Sequence, residues 1–292
     1  MSLSEFLHNP KYIGKVAEYD FIKGQEFFGN LALGYLSEHK DYYSLIENNL
    51  KYFGLPFDNG AVEKSVKNIG YHYHEKFLSF IKEPQFYPEF HERIVKSDDV
   101  IDEILQNQRE KQATVILSTH FGAMALIAGV LNSCKMEISS IIRFPSEEFK
   151  NLIMSKHLNV IETLGYGRTK FIEADKQPIM ELAFGLKEGE TFFSVLDEHT
   201  PFNIAVNFLG KTITGGAGID KIIDFIGKDE IKVYFTIMVR TENNYKLDLH
   251  RIDLDSDEYI QGMFNIYEKY VLKQYEQWFF LQEVHENMPE HS

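Results

Sequence analysis

Through "DYYSLIENNLKYFGL" (41–55) and "NGAVEKSVKNIGYHYHEKFLSFI" (59–81) the apolar positions fall three and four apart, which predicts two helices. Between them "LPFDNG" supplies a proline and an Asn-Gly turn, so the first hundred residues read as a helical segment. After residue 98 the period changes. The amphipathic stretch "DDVIDEILQNQREKQ" leads into "ATVILSTH" (113–120), a short, β-branched and unalternated apolar run of the kind that forms a strand covered on both faces. Further strands are expected at "EISSIIRF", "KFIEA", "TFFSVLDE", "IAVNFLG", "IKVYFTIMVR" and "YKLDLHRIDL", with helices at about 147–163, 177–188 and 216–227. The last two strands, separated by "TENN", read as an antiparallel hairpin on one edge. One long helix, 258–283, closes the pattern, and the polar tail "VHENMPEHS" is expected to fray.

The fold class that follows is α/β. A mixed, mostly parallel central sheet is flanked by helices and preceded by a helical N-terminal part. With no repeat and no Pro/Gly/Ser linker, 1–292 reads as a single domain, helical over 1–98 and α/β over 99–292.

Charge narrows the class of partner. The chain carries 44 acidic against 30 basic residues, a formal charge of -14, which disfavours long-range attraction to nucleic acid or an anionic membrane. Cys134 is the single cysteine, so neither an intramolecular disulfide nor a cysteine-based metal site is available. The start "MSLSEFLHNPKYIGKVAEYDF" lacks a signal-peptide pattern, and the apolar stretch 113–131 is interrupted by Ser118, Thr119 and His120. The expectation is a cytoplasmic protein, or one peripheral to the inner membrane, without stable membrane insertion.

Candidate chemistry gathers at strand ends, where loops meet and helix amides point outward in open α/β sheets. His120 ends the run 113–120, and Gly122 follows it in a position to turn the backbone and present amides to an oxyanion. Such a histidine either removes a proton from an attacking hydroxyl or amine, or is a core histidine satisfied by a carbonyl. A second apolar strand ends in "DEHTP", where Asp197 or Glu198 would orient the imidazole if the two strands run parallel; the alternative is a capped turn with solvated neighbours. Arg168 in "GYGRTKF", Arg143 and His199 are further candidates for binding substrate, Arg168 through bidentate bonds to a phosphate, carboxylate or oxyanion or, failing that, as a surface ion pair. In "YHYHE", His72 and His74 lie two apart, which on a helix points them away from each other and argues against a shared metal. The run "GGAG" (215–218) lacks P-loop or dinucleotide spacing and reads as a helix start near an apolar ligand or another backbone.

Four segments occur in a telling order: "IENNLKYFGLP" before a helix, "VILSTHFGAMALIAGVL", "LKEGETFFSVLDEHTPFNIAVNFLGKTITGGAG" and "YEKYVLKQYEQWFFLQE". Together they resemble the lipid A biosynthesis acyltransferases, the lauroyl and myristoyl transferase family, over most of the chain. The resemblance implies a glycerolipid acyltransferase-like fold and an acyl carrier protein as donor, with no cofactor and no metal. It also implies a catalytic histidine with an acid five residues later. Here the base is His120 and the acid position holds Ala125. The membrane-anchoring apolar helix and the basic motif after the tryptophan are absent, and the family's "DQ" is Asp197-Glu198.

These departures lead to three expectations. The first is a soluble acyltransferase of secondary metabolism, passing an acyl group from an acyl-carrier-protein or similar activated thioester to a small hydroxyl or amine acceptor. His120 would be its base, and Asp197 or Glu198 the relocated acid. The second is an inactive relative that binds acyl chains or acyl carrier protein. The third is a peripheral enzyme of lipid A type.

Overall fold

The computed structural model describes residues 2–142, 147–174, 178–198, 202–242, 244–256 and 258–284. Arg143, His199 and all but the first residue of the polar tail lie outside the described residues.

The N-terminal segment is helical: α1 (Leu3–Leu7), α2 (Pro10–Glu18), α3 (Phe21–Glu38), α4 (Lys40–Tyr52), α5 (Asn59–Ile81) and α6 (Tyr87–His91). The caps follow from the sequence. Asp20 accepts from the Lys23 amide and Asp58 from the Ala61 amide, so the two longest helices of this part each begin at an aspartate that satisfies an otherwise unpaired N–H.

The remainder alternates: β1 (Ile94–Lys96), α7 (Asp98–Arg109), β2 (Ala113–Ser118), α8 (Ile127–Ser133), β3 (Ile138–Ile142), α9 (Glu147–Leu164), β4 (Thr169–Glu173), α10 (Pro178–Lys187), β5 (Thr191–Val195), β6 (Asn203–Phe208), β7 (Lys211–Gly216), α11 (Gly218–Ile226), β8 (Ile231–Arg240), β9 (Tyr245–Arg251) and α12 (Tyr259–Gln274). Among the described residues seven strands form one sheet in the order β1-β9-β8-β2-β5-β3-β4. All its pairings are parallel except β8 with β9. The mixed, mostly parallel sheet expected from the sequence is therefore present. Its central strand β2 is buried at every position, as the unalternated run required.

Three features depart from the expected pattern. The β8–β9 hairpin is not the edge, because the three-residue β1 pairs in parallel outside β9. A strand this short carries too little periodicity to be read, and it draws part of 1–98 into the sheet. Next, β6 and β7 form a separate antiparallel ribbon, turned at Leu209 (φ 51°) and Gly210 (φ 71°), a two-residue turn with both central residues left-handed. Of the glycines in "GGAG", Gly215 and Gly216 end this ribbon and Gly218 opens α11, the helix start expected there. A Cβ on Gly216 would stand 3.2 Å from the Leu196 carbonyl, so it is another backbone, not a ligand, that this glycine faces.

Finally, the closing helix stops at Gln274. Two 3₁₀ turns follow, Tyr275–Gln277 and Phe279–Gln282, with Trp278 extended between them. The helix breaks because its continuation is recruited elsewhere: Gln277 O accepts from the Gly122 amide, and Phe121 bridges Trp278. Trp278 is then packed edge-on against Phe53 from the helical segment and Phe208 from the ribbon. No helix among the described residues is long and apolar enough to cross a membrane.

Candidate active site

Parallel pairing of β2 with β5 brings Ser118 opposite Val195, and the Leu196 amide extends the ladder by donating to Ser118 O at 2.9 Å. The two strands thus end level. Two residues past each strand end, His120 and Asp197 meet. Asp197 Oδ2 accepts from the His120 main-chain N–H at 2.7 Å, and Oδ1 lies 2.9 Å from Nδ1. A carboxylate only accepts, so Nδ1 carries the hydrogen and Nε2 is left with its lone pair. Nε2 points toward Glu198, whose Oε1 is 3.4 Å away on a side chain that is 57% exposed. The Asp197 side chain, at 3%, is sealed in.

Burial pushes the His120 pKa down, but the Asp197 charge and hydrogen bond, with Glu198 and Glu283 behind them, outweigh it and hold the value above the ordinary 6.5. The imidazole lies flat on Phe280 (centroids 5.5 Å apart) and close to Phe279 (6.0 Å), both from the C-terminal 3₁₀ turns. The Phe280 amide donates to His120 O at 3.2 Å. Behind the carboxylate, Tyr267 faces Thr119, Asp197 and Trp278, and burial first, then the Asp197 charge, raises its phenol well above 10.

No protein-family model and no curated protein matches this chain.

The loop after His120 is held by residues far apart in sequence. Gly122 has φ 61°, and a Cβ there would lie 2.0 Å from Met238 O, so only glycine fits. Its carbonyl accepts from Arg240 Nη2 at 2.7 Å, while Arg240 makes a two-pronged bond to Glu75 (2.7 and 2.6 Å) and Glu75 also accepts from Tyr245 OH. Arg240 and Glu75 are both buried. Gln277 copies a strand partner, accepting from the Arg240 N–H and donating to the Arg240 carbonyl, each at 2.9 Å. Reading the sequence missed Arg240 and Gln277 altogether, since a lone arginine ending a strand and a glutamine beside a tryptophan carry no motif. Glu75 drew notice only beside His72 and His74.

Several expectations are corrected by this geometry. The amides around Gly122 do not face a developing oxyanion: Phe121 N donates to Thr119 O, Gly122 N to Gln277 O and Ala123 N to Met238 O. Gly122 is a backbone hinge, not a binding residue. Arg168 immediately precedes β4, at the amino-terminal edge of the sheet, whereas His120 and Asp197 stand at the carboxyl-terminal edge. It is exposed, in a groove with Arg109, Lys135 and Glu188, and cannot reach the imidazole. His72 and His74, by contrast, diverge on α5 as their spacing predicts: His72 stacks on Phe279 at 3.8 Å, while His74 packs against Phe21 and Phe28. Ala125, the expected acid position, lines an apolar cavity with Met124 and Phe193.

Proposed function

We propose that this chain is an acyltransferase in which His120, oriented by Asp197, is the general base. The acceptor hydroxyl or amine attacks the thioester carbonyl and gives its proton to His120 Nε2. The resulting tetrahedral intermediate expels the thiolate, which takes that proton back from the imidazolium, so the acyl group moves and the base is restored. The observation that carries the reading is the two-point grip of Asp197 on the ring and main chain of His120, which leaves Nε2 on the side of the exposed Glu198. In this reading Asp197, two residues past the end of β5, takes the part of the acid that Ala125 cannot supply. Glu198, exposed beside Nε2, stabilises the imidazolium and does not orient the ring. The ordered resemblance to the lipid A acyltransferases supports the donor class, an acyl-carrier-protein or similar thioester, and the acceptor is a small alcohol or amine.

The decisive experiment offers the purified protein a panel of acyl thioesters with and without mixed amines and alcohols. Acceptor-dependent thioester loss is expected in the wild type and absent in His120→Ala; equal rates in both would reject the mechanism. A second reading, an acyl-binding protein without turnover, is favoured by the engaged amides of 121–123, which leave no oxyanion cradle in that loop. Its signature is donor binding that His120→Ala leaves unchanged, with no product.

A further inference from the structure

A cavity of about 240 Å³ lies beside the sheet, lined among others by Met124, Ala125, Ile142, Phe171, Phe193 and Val160. Met124 and Ala125 are four and five residues beyond His120, and Ile142 is at the carboxyl-terminal end of β3, so this end of the cavity lies on the same edge of the sheet as the imidazole. The other end reaches Tyr166, Gly167 and Thr169 at the start of β4. Most of its polar side chains bond within the protein. His91 Nδ1 lies 3.0 Å from Tyr166 OH, His157 Nε2 accepts from the Thr169 amide, and Asn132 bonds to Met136 O and Thr169 Oγ1. None of the buried polar side-chain atoms left unpaired among the described residues belongs to this lining. Such a wall offers a ligand chiefly dispersion and desolvation.

Two measures of size agree. In register, Thr169 stands opposite Ile138 and the cavity continues to the level of Ile142, four residue steps of about 3.3 Å, or roughly 13 Å. At a projected rise of about 1.25 Å per C–C bond, that length takes roughly ten carbons. By volume, a cavity of about 150 Å³ accommodates the six carbons of benzene, which scales to about ten carbons here.

We propose that this cavity seats a linear, saturated chain of about eight to ten carbons; the acyltransferase reading puts its polar head at the Ala125 end, on the edge of the sheet that carries His120. That this chain is the donor's acyl tail rests on the acyltransferase reading; the cavity's preference for it does not. Ala125 then has a role of its own: an ionised side chain there would charge the wall that the chain passes.

The test is calorimetric titration of the full chain with butanoate, hexanoate, octanoate, decanoate, dodecanoate and tetradecanoate. Affinity should rise about fourfold per added methylene, which is ~0.8 kcal/mol at about 1.4 kcal/mol per tenfold, up to octanoate or decanoate and then level or fall. Gly129, on α8, lines the cavity and has no atom within 4 Å of where a Cβ would stand. Gly129→Leu adds four carbons to the wall from an open Cβ position and should move the break toward hexanoate; a thermal melt checks that it folds. Affinity that climbs unbroken to tetradecanoate, or a folded Gly129→Leu with an unchanged profile, overturns the proposal. Chain-length-dependent binding with no turnover of any thioester keeps the cavity and rejects the transferase, while turnover indifferent to chain length does the reverse.

Discussion

His120 changes meaning with its neighbours. Alone at a strand end it is one of many partly buried histidines; with Asp197 on Nδ1 its tautomer is set and its lone pair directed. Replacing Asp197 by Asn removes the charge that outweighs burial, so two effects are expected together. The plateau rate of the proposed acyl transfer falls by about 10²- to 10⁴-fold. The alkaline rise of rate with pH, which marks loss of the imidazolium proton, moves to lower pH because the raised His120 pKa is no longer supported. Glu198→Gln should shift the same rise downward with a smaller loss of plateau, since this exposed carboxylate acts on the charge and not on the tautomer. A pH–rate profile of the three proteins checks all of this, and an unmoved profile in Asp197→Asn would contradict it. At Gly122 the constraint is steric. Gly122→Ala places a methyl against Met238 O on a left-handed backbone and should lower stability by roughly 2–4 kcal/mol, read from denaturant midpoints.

Among the elements, the C-terminal strap is the least legible. Its apolar spacing continues that of α12, and nothing in "QYEQWFFLQE" announces that the helix must stop. It stops because the loop 121–122 offers backbone partners, and because Trp278 has a slot between Phe53, Phe208 and Tyr267. Trp278→Ala should cost about 3–5 kcal/mol, the range for emptying a buried aromatic site. It should also abolish transfer at temperatures where the chain is still folded, because Phe279 and Phe280 would no longer hold the wall beside His120. Retained activity with a lowered melting temperature would show that the strap only stabilises. By contrast, β2, β8 and α5 were readable at nearly their full extent, because burial on both faces imposes an apolar run on the strands and the three-and-four spacing runs along α5; Asn59-Gly60, expected as a turn, instead opens that helix behind the Asp58 cap. The three residues of β1 were not, for their strand character comes entirely from β9.

For the whole molecule, the buried histidines set the response to acid. His74 is pushed down to about 3 and His91 to about 4, each chiefly by burial, and His72 falls well below 6.5 for the same reason. These groups stay neutral in the folded chain but bind protons in the unfolded one once pH drops below about 6.5. Each therefore contributes stability above that pH and loses it, at about 1.4 kcal/mol per unit, as pH falls toward its folded value. His120 has the opposite sign: its raised pKa adds stability below about 6.5 that fades as pH rises through the folded value. His8, His157 and His250 are lowered as well, also chiefly by burial, so six lowered histidines against one raised predict a melting temperature that falls steadily from pH 6.5 toward 4. His74→Leu should flatten that slope, which a series of thermal melts would detect. At the centre, the Arg240–Glu75 pair joins α5 to β8 and fixes the loop after His120. Arg240→Met leaves Glu75 charged and buried and should destabilise by about 3–5 kcal/mol.

The amino-acid pattern alone determined the α/β class, the helical beginning, the buried strand ending at His120 and the second strand ending at Asp197, because periodicity and unbroken apolar runs are local consequences of which faces are covered. Tertiary structure decided the rest. That Asp197 and not Glu198 grips Nδ1 depends on parallel, level pairing of β2 with β5. That Gly122 is a hinge depends on Met238, 116 residues away in the chain, and that Arg168 is remote depends on which edge of the sheet β4 starts from. Such facts are relations between strands, and no window of sequence contains both partners.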